Sequence, residues 1–361
     1  MKKILFLFVA PALFAATPQY QSEKITVPAA SADEAIAKHF SLQKANHYLE
    51  QGAVAWTRKR GCVTCHTTGT YMQIRPELTP LLGKPNTEIH ELLTDELSGL
   101  AKQSVAALDK STKPAQVIYI AAGLAEWDRH VTKKLSAETK SALELMFTIQ
   151  RKSGTWGSLD CWPPFESSAF QEATVAAMAV AAAPSWRAEL KDEKMKAGVA
   201  SLQKYLRETA PPNDYGRVVL LWTAERMKDL LPEKRRAELM ELLWSHQRKD
   251  GGWSIRTFSA PEKWGRGNRA NKLRAEPEFK NPPSDGHMTG LAVLVLREAG
   301  VPANDPRLQK GIQWLLANQR ESGRWWTRSL NTDKAHYITY SGTAYPLLAL
   351  MKCDALPKQA K

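Results

Sequence analysis

One seven-residue pattern, Gln-Arg-x-[Ser/Asp]-Gly-x-Trp, occurs three times in this chain and constrains its fold more than any other feature. The copies are Gln150-Arg-Lys-Ser-Gly-Thr-Trp156, Gln247-Arg-Lys-Asp-Gly-Gly-Trp253 and Gln319-Arg-Glu-Ser-Gly-Arg-Trp325. Each follows an amphipathic helical stretch, such as 232–246 or 305–318; in the latter Leu308, Ile312 and Leu315 share one stripe at helical spacing. The glycine then stops the helix. A short loop later comes a second helix, over 172–183, 288–299 and 342–352, apolar nearly all round and rich in alanine. A helix apolar on every side is buried on every side. The amphipathic member of each pair therefore belongs to an outer layer and the apolar member to an inner one.

Two further pairs lack the pattern: 87–130, broken near Pro114, and 194–231, broken at Pro211-Pro212. A sixth begins with 32–58 and is expected to continue after Pro80. No segment shows a strand period worth defending. The expected fold is all-α: a single domain over 17–361, a closed α/α toroid of about six helical hairpins with six inner and six outer helices.

Glutamine at a helix end, glycine in the turn and tryptophan after it resemble the QW motif of the squalene–hopene cyclase and prenyltransferase superfamily. That resemblance implies an α/α toroid in which the glutamine bonds backbone and the indole packs against a helix end. The roles implied for Gln150, Trp156, Gln247, Trp253, Gln319 and Trp325 are thus structural. The stretches Trp162-Pro-Pro-Phe-Glu166 and Gly323-Arg-Trp-Trp-Thr-Arg-Ser329 are further similar to a secreted, squalene-cyclase-like bacterial subgroup. The aspartate-rich D-x-D-D motif with which class II cyclases of that superfamily protonate their substrate is absent from this sequence. The resemblance therefore implies an apolar or isoprenoid ligand without implying the usual reaction.

The N-terminus reads Met1-Lys2-Lys3 and then an apolar run, Ile4 to Ala16, too short for a bilayer core, which takes about 20 residues. With small residues at Ala10-Pro11-Ala12 and Ala15-Ala16 it reads as a signal peptide over 1–16, and the mature chain is expected to be exported to the periplasm or beyond. The formal net charge is +13. Outside the cytoplasm that surplus points away from nucleic acid, and toward a membrane surface or an acidic glycan.

With four cysteines in 361 residues, cysteine chemistry must be local. Gly61-Cys62-Val-Thr-Cys65-His66 matches C-x-x-C-H, the pattern of covalent c-type haem attachment: two thiols add to the porphyrin vinyl groups and the histidine reaches the iron. The candidates for a sixth ligand are Met72 and a histidine such as His90 or His130, with a five-coordinate iron as the alternative. A local disulfide, a redox-active thiol pair and a metal site compete with haem; a structural zinc site would be a ligand short. Cys161 and Cys353 are expected at opposite ends of the ring, unbonded. Counting hairpins, the motif replaces the tryptophan turn of a degenerate first repeat, so His66 should share one rim with loops 154–171, 252–287 and 323–341.

Those loops supply the other candidates for acid–base chemistry: Glu166, Asp285, His287, His336 and Tyr337, with helix capping as the alternative for the acids and packing for the histidines. Segment 254–283 carries seven cations against three carboxylates and reads as a long basic loop, either a solvated insertion or a lid with Trp264 as its anchor. Three functions follow as expectations. The first is binding or transformation of an apolar molecule, possible covalent haem included; the second is a haem-bearing redox or sensing module; the third is an (α/α) barrel that binds or cleaves acidic glycans.

Overall fold

The computed structural model describes residues 17–160, 162–165 and 168–356; the expected signal peptide over 1–16, Cys161 and Glu166 lie outside the described residues. Among the described residues twelve helices pair into six hairpins, with outer and inner members alternating along the chain. The outer helices are α1 (Leu42–Arg60), α3 (Thr87–Ala101), α5 (Ala137–Thr148), α7 (Glu193–Glu208), α9 (Glu233–Ser245) and α11 (Pro306–Ala317). The inner ones are α2 (Thr70–Ile74), α4 (Lys113–Trp127), α6 (Ala169–Ala182), α8 (Asp214–Arg226), α10 (Gly286–Glu298) and α12 (Ile338–Lys352). Each inner helix packs on the next, and α12 packs back on α2, so the inner ring is closed. Among the described residues no helix is long and apolar enough to cross a membrane.

The repeated pattern makes the same contacts at the same offset three times. The Trp156, Trp253 and Trp325 indoles are buried, and their N–H groups donate to the carbonyls of Met146, Leu243 and Leu315, ten residues upstream, at 2.8, 2.9 and 2.8 Å. These carbonyls lie in the last turns of α5, α9 and α11, where intrahelical partners run out. Each glutamine amide donates twice. Gln150 reaches its own turn at Gly154 O and the following outer helix at Gly198 O, both 3.0 Å. Gln247 spans Gly251 O and Arg307 O at 2.9 and 2.8 Å, and Gln319 spans Gly323 O and Ser41 O at 2.9 Å each. The last bond joins the sixth hairpin to the first, and Ser41 N returns a bond to Gln319 Oε1 at 2.6 Å. The turn glycines need to be glycine twice over. Their φ values of 87°, 89° and 92° disfavour a side chain, and a Cβ would run into backbone at Ser201, Lys310 and Lys44 of the next outer helix.

Two sequence expectations need correction. The first inner member does not follow Pro80; it begins well before it and ends just past it, as a broken run of a wide π-helical turn (Cys65–Gly69), α2, a 3-10 turn (Arg75–Leu78) and one more helical turn (Thr79–Leu82). Glycine, two prolines and the cysteine motif explain why no 3.6-residue period announced it. The fold also has a two-stranded antiparallel hairpin, β1 (Tyr20–Ser22) and β2 (Ile25–Val27), each only three residues long and below the reach of a periodicity argument. It is fastened near the third repeat through Arg324, which is buried and donates to Pro28 O, Ala29 O and the Glu34 carboxylate at 2.9, 2.9 and 2.8 Å.

Because each indole fills a core position and also satisfies a helix end, Trp156→Ala, Trp253→Ala and Trp325→Ala are each expected to cost about 3–5 kcal/mol. Gln319→Ala should cost about 1–3 kcal/mol by leaving its backbone partners unpaired. Urea unfolding reads both; a Gln319 variant as stable as the parent would show that this amide does not hold the ring closed.

Candidate functional site

The helix α1 ends at Gly61, which adopts the left-handed conformation at φ 56° and turns the chain across the ring mouth. The Trp56 indole donates to Cys62 O at 3.2 Å, Thr64 N to Thr68 Oγ1 at 3.0 Å, Gly69 N to Thr64 O at 2.8 Å and Thr70 Oγ1 to Cys65 O at 2.7 Å. These bonds fix a wide turn that leaves Cys62 half-buried and carries Cys65 and His66 inside. Gly69 is required there, since a Cβ would meet both Thr64 O and the Tyr119 ring at 2.7 Å.

His66 sits among aromatic rings drawn from three parts of the chain. It stacks on Tyr337 at 4.7 Å and 11°, meets Trp56 edge-on at 4.9 Å and lies 5.5 Å from Trp162. Two of the three loops expected on its rim, 154–171 and 323–341, reach this histidine through Trp162 and Tyr337. Its Nδ1 shares a hydrogen bond of 2.8 Å with Thr67 Oγ1, which in turn bonds Tyr20 OH of β1 at 3.1 Å. Burial pushes the imidazole down to about 3, so it is neutral at physiological pH. Nε2 makes no hydrogen bond among the described residues.

Beside this turn lies a cavity of about 270 Å³. Its near wall is Cys62, Val63, Thr64, Cys65 and His66, and Trp162 forms one flank. Its far wall is one face of α4 and the residue before it: Thr112, Ala115, Gln116 and Tyr119, spaced i, i+3, i+4 and i+7 from rim to interior. No carboxylate stands among the described lining residues. The sequence reading missed Gln116 and Tyr119; their signal was a polar stripe on a helix otherwise apolar all round. Burial raises the Cys62 thiol above its usual value, the opposite of what an activated redox or nucleophilic cysteine needs. Cys62 is a free thiol, not joined to Cys65.

The other candidate residues divide. Tyr337 belongs to the site through its stack on His66. Asp285 is the N-cap of α10: it accepts from Met288 N at 2.9 Å, Ile255 N at 2.7 Å and Thr327 Oγ1 at 3.3 Å, and burial lifts it to about 6. His287 is fully buried between Tyr215 OH at 3.2 Å and Ser341 Oγ at 2.7 Å, with the Tyr215 and Tyr345 rings packed against it. His336 accepts from Ser329 N at 3.1 Å through Nδ1 and packs on Trp326. Capping and packing thus account for these three.

The basic loop is a correction. Over 254–283 the chain forms two 3-10 turns and a short helix, Ala270–Arg274, and buries Ile255, Phe258, Trp264 and Leu273. Three of its seven cations are spent internally, Arg256 and Lys272 on Glu276 and Arg274 on Glu262, and a fourth, Arg266, pairs with Asp160 of the neighbouring loop. Trp264 anchors it against Tyr215, ring centres 5.7 Å apart. Paired charges and buried aromatics make it a packed element, not a solvated insertion. Cys353 is a buried free thiol after α12.

Haem can be tested against these residues. The donor set suits it: both cysteines and a neutral histidine face one cavity, and a bond from Nδ1 to Thr67 leaves Nε2 for a metal. The room does not suit it. About 270 Å³ falls below the roughly 300–1,000 Å³ usual for ligand pockets, and a porphyrin needs the upper part of that range. The proposed sixth ligands also point elsewhere. Met72 is fully buried against Gly123, His90 packs on Trp127 and His130 faces Glu126. Among the described residues no group of three or more His, Cys, Asp or Glu is arranged to hold a metal ion.

These burials fix a pH dependence. His66 and His287 are lowered to about 3 and His336 to about 4, each chiefly by burial, so each gains its proton readily only on unfolding. The stability they confer is complete above about pH 6.5 and is lost as pH falls toward 4 and 3. Asp285, raised to about 6, has the opposite sign: its share is complete below about pH 4 and is lost as pH rises through 6. Three imidazoles outweigh one carboxyl, so the urea midpoint should be lower at pH 5 than at pH 7. His287→Gln should narrow that difference and Asp285→Asn should widen it.

Comparison with known proteins places the fold. Residues 214–355 match the family described as squalene-hopene cyclase C-terminal domain. A terpene cyclase-glycosyl transferase fusion protein of Humicola fuscoatra is 34% identical over 121 residues, 32% of this chain and 7% of that protein's length. A glycosidase structure is 11% identical, covering 87% of this chain and 97% of its own, with a TM-score of 0.54. The type II terpene cyclase MstE from Scytonema, 12% identical, covers 88% and 100% at a TM-score of 0.48. The all-α toroid is thus shared with known proteins, and over 214–355 the likeness expected from the tryptophan repeats extends to squalene–hopene cyclase sequence.

Proposed function

We propose that this chain is an exported, cyclase-like toroid that binds an apolar small molecule of isoprenoid type in the cavity beside Cys62–His66. The observation that carries the reading is the character of that cavity: it opens at the ring mouth, is walled by Val63, Ala115, Trp162 and the aromatic ring of Tyr119, and has no carboxylate among its described lining residues. An apolar surface of that kind gains by taking apolar area out of water. A proton-initiated cyclisation would need a protonated acid there, and glycoside hydrolysis would need two carboxylates flanking the ligand. The lining favours binding over either reaction. The leader over 1–16 supports the periplasm as the place where it binds.

Covalent c-type haem is the second reading, favoured by the convergence of Cys62, Cys65 and His66 on one cavity. Those three residues would hold it, and when bound it would supply electron transfer or ligand binding at iron. Trp162 would have to yield the space.

Two measurements separate the readings. Titration with a short isoprenoid should show saturable binding that Ala115→Phe, which fills the cavity from α4, abolishes without lowering the melting temperature; equal binding by the variant would move the ligand elsewhere. The chain expressed with its leader alongside a haem-maturation system should show an intact mass without haem and no Soret band under the first reading. A haem adduct lost in Cys62→Ala with Cys65→Ala would install the second.

A further inference from the structure

A chain of hydrogen bonds runs from the β-hairpin to the mouth cavity. Tyr20 OH of β1 meets Thr67 Oγ1 at 3.1 Å, and Thr67 Oγ1 meets His66 Nδ1 at 2.8 Å. All three side chains are buried, so the direction of each bond follows from counting protons. Thr67 Oγ1 is the polar atom that the Tyr20 hydroxyl bonds among the described residues; if Tyr20 accepted there, its own proton would be buried without an acceptor. Tyr20 therefore donates. Thr67 then spends its proton on the remaining partner, Nδ1, since accepting from both sides would leave that proton bare. A bare buried donor costs free energy that neither alternative recovers. With Nδ1 accepting, the imidazole proton sits on Nε2; a charged ring would carry one there too.

Nε2 belongs to a ring that lines the mouth cavity. Among the described residues it has no hydrogen bond, and it is not one of the buried nitrogens closed off without a partner. We infer that Tyr20 and Thr67 are positioning residues that hold His66 as an Nε2–H donor to this cavity, and that the apolar ligand carries a carbonyl oxygen to accept that bond. The described lining holds neither a carboxylate nor a lysine or arginine. A carboxylate ligand would therefore bury an unpaired charge, and a hydrocarbon would leave the N–H bare. An alcohol needs an acceptor for its own proton as well; a ketone, aldehyde or quinone needs only the donor that His66 offers. Val63, Ala115 and Trp162 suit the hydrocarbon part of such a molecule. This rests on the apolar-ligand reading and adds to it the ligand's polar group, an isoprenoid carbonyl. Haem would need the opposite tautomer, since iron takes the ring nitrogen that has no proton.

Nitrogen NMR of the full mature chain with isotope-labelled histidine reads the proton directly, a His66→Gln variant assigning the signal. The parent should show a pyrrole-type nitrogen at Nε2 and a pyridine-type nitrogen at Nδ1. Thr67→Val keeps the side-chain shape but removes the relay, and should move both shifts toward an average of the two tautomers; Thr67→Ser should restore the parent pattern. A protonated Nδ1 in the parent, or parental shifts in Thr67→Val, would overturn the relay. The ligand is tested with geranylacetone and the hydrocarbon in which a methylene replaces its oxygen, two probes of nearly equal size. The ketone should bind the parent about tenfold more tightly, the usual margin when a buried polar group would otherwise stay unpaired, and that margin should vanish in Thr67→Val and survive in Thr67→Ser. Equal affinity of the two for the parent would overturn the carbonyl while sparing the binding site. If neither probe binds and Ala115→Phe behaves as the parent does, the apolar-ligand reading itself falls, and the carbonyl with it.

Discussion

The whole ring depends on an amide that faces two ways. In each copy of the repeat the glutamine side chain closes its own turn and reaches the backbone of the next outer helix, while the turn glycine lies against that helix with no room for a side chain. A helical hairpin of this type cannot bury its inner helix alone; it needs a neighbour on each side. The glutamine sets where the neighbour sits. At the sixth hairpin the same geometry, through Gln319 and Ser41, turns a row of repeats into a closed ring. Tryptophan completes the joint by satisfying the last helical carbonyls from inside the core.

Closure at that joint leaves the first hairpin free to depart from the pattern. Its turn has no glutamine bridge; the Arg58–Glu88 ion pair, exposed on both sides, links α1 to α3 instead. Where the other copies bury an indole, this one places Cys62, Cys65 and His66 on a π-helical turn, and the inner helix that follows is broken. The mouth cavity occupies the space beside that broken helix. A continuous α2 would bring regular side-chain packing to the same place, so the degenerate repeat and the site have one structural origin.

The architecture was legible because it is periodic. Three copies of one turn, with amphipathic and apolar helices alternating around them, predict the layers, the number of hairpins and the rim on which His66 lies. The first inner helix escaped because its prolines and π-helical turn erase the helical period. The site was legible only in part, for a different reason. Cys62, Cys65 and His66 announce themselves by spacing, but Gln116 and Tyr119 matter through the rotation of α4 about its axis, and a sequence that is apolar nearly all round does not fix that rotation. Asp285, His287 and His336 show the converse. Their residue types suit chemistry, yet the hydrogen bonds they make spend them on holding loops to helices.

The two ends of the ring are built from opposite materials. At the end away from Cys62 the inner helices finish at Arg226, Glu298 and Lys352, and their free carbonyls converge. Arg226 is nearly buried there among Glu77, Glu126 and Glu298, and Lys352 joins Glu77 and Glu298. Cations at helix C-termini are favoured by the dipoles, and the carboxylates balance the buried charge. A cavity of about 540 Å³ opens there, but charged side chains dominate its wall. An apolar molecule entering from that side would have to strip water from ions that gain nothing in exchange. The Cys62 side presents indole, alanine, valine and a neutral imidazole. The two mouths therefore differ in chemistry, one walled by apolar groups and a neutral imidazole and the other by ions, with the packed rings of Tyr215, His287 and Tyr345 in the interior.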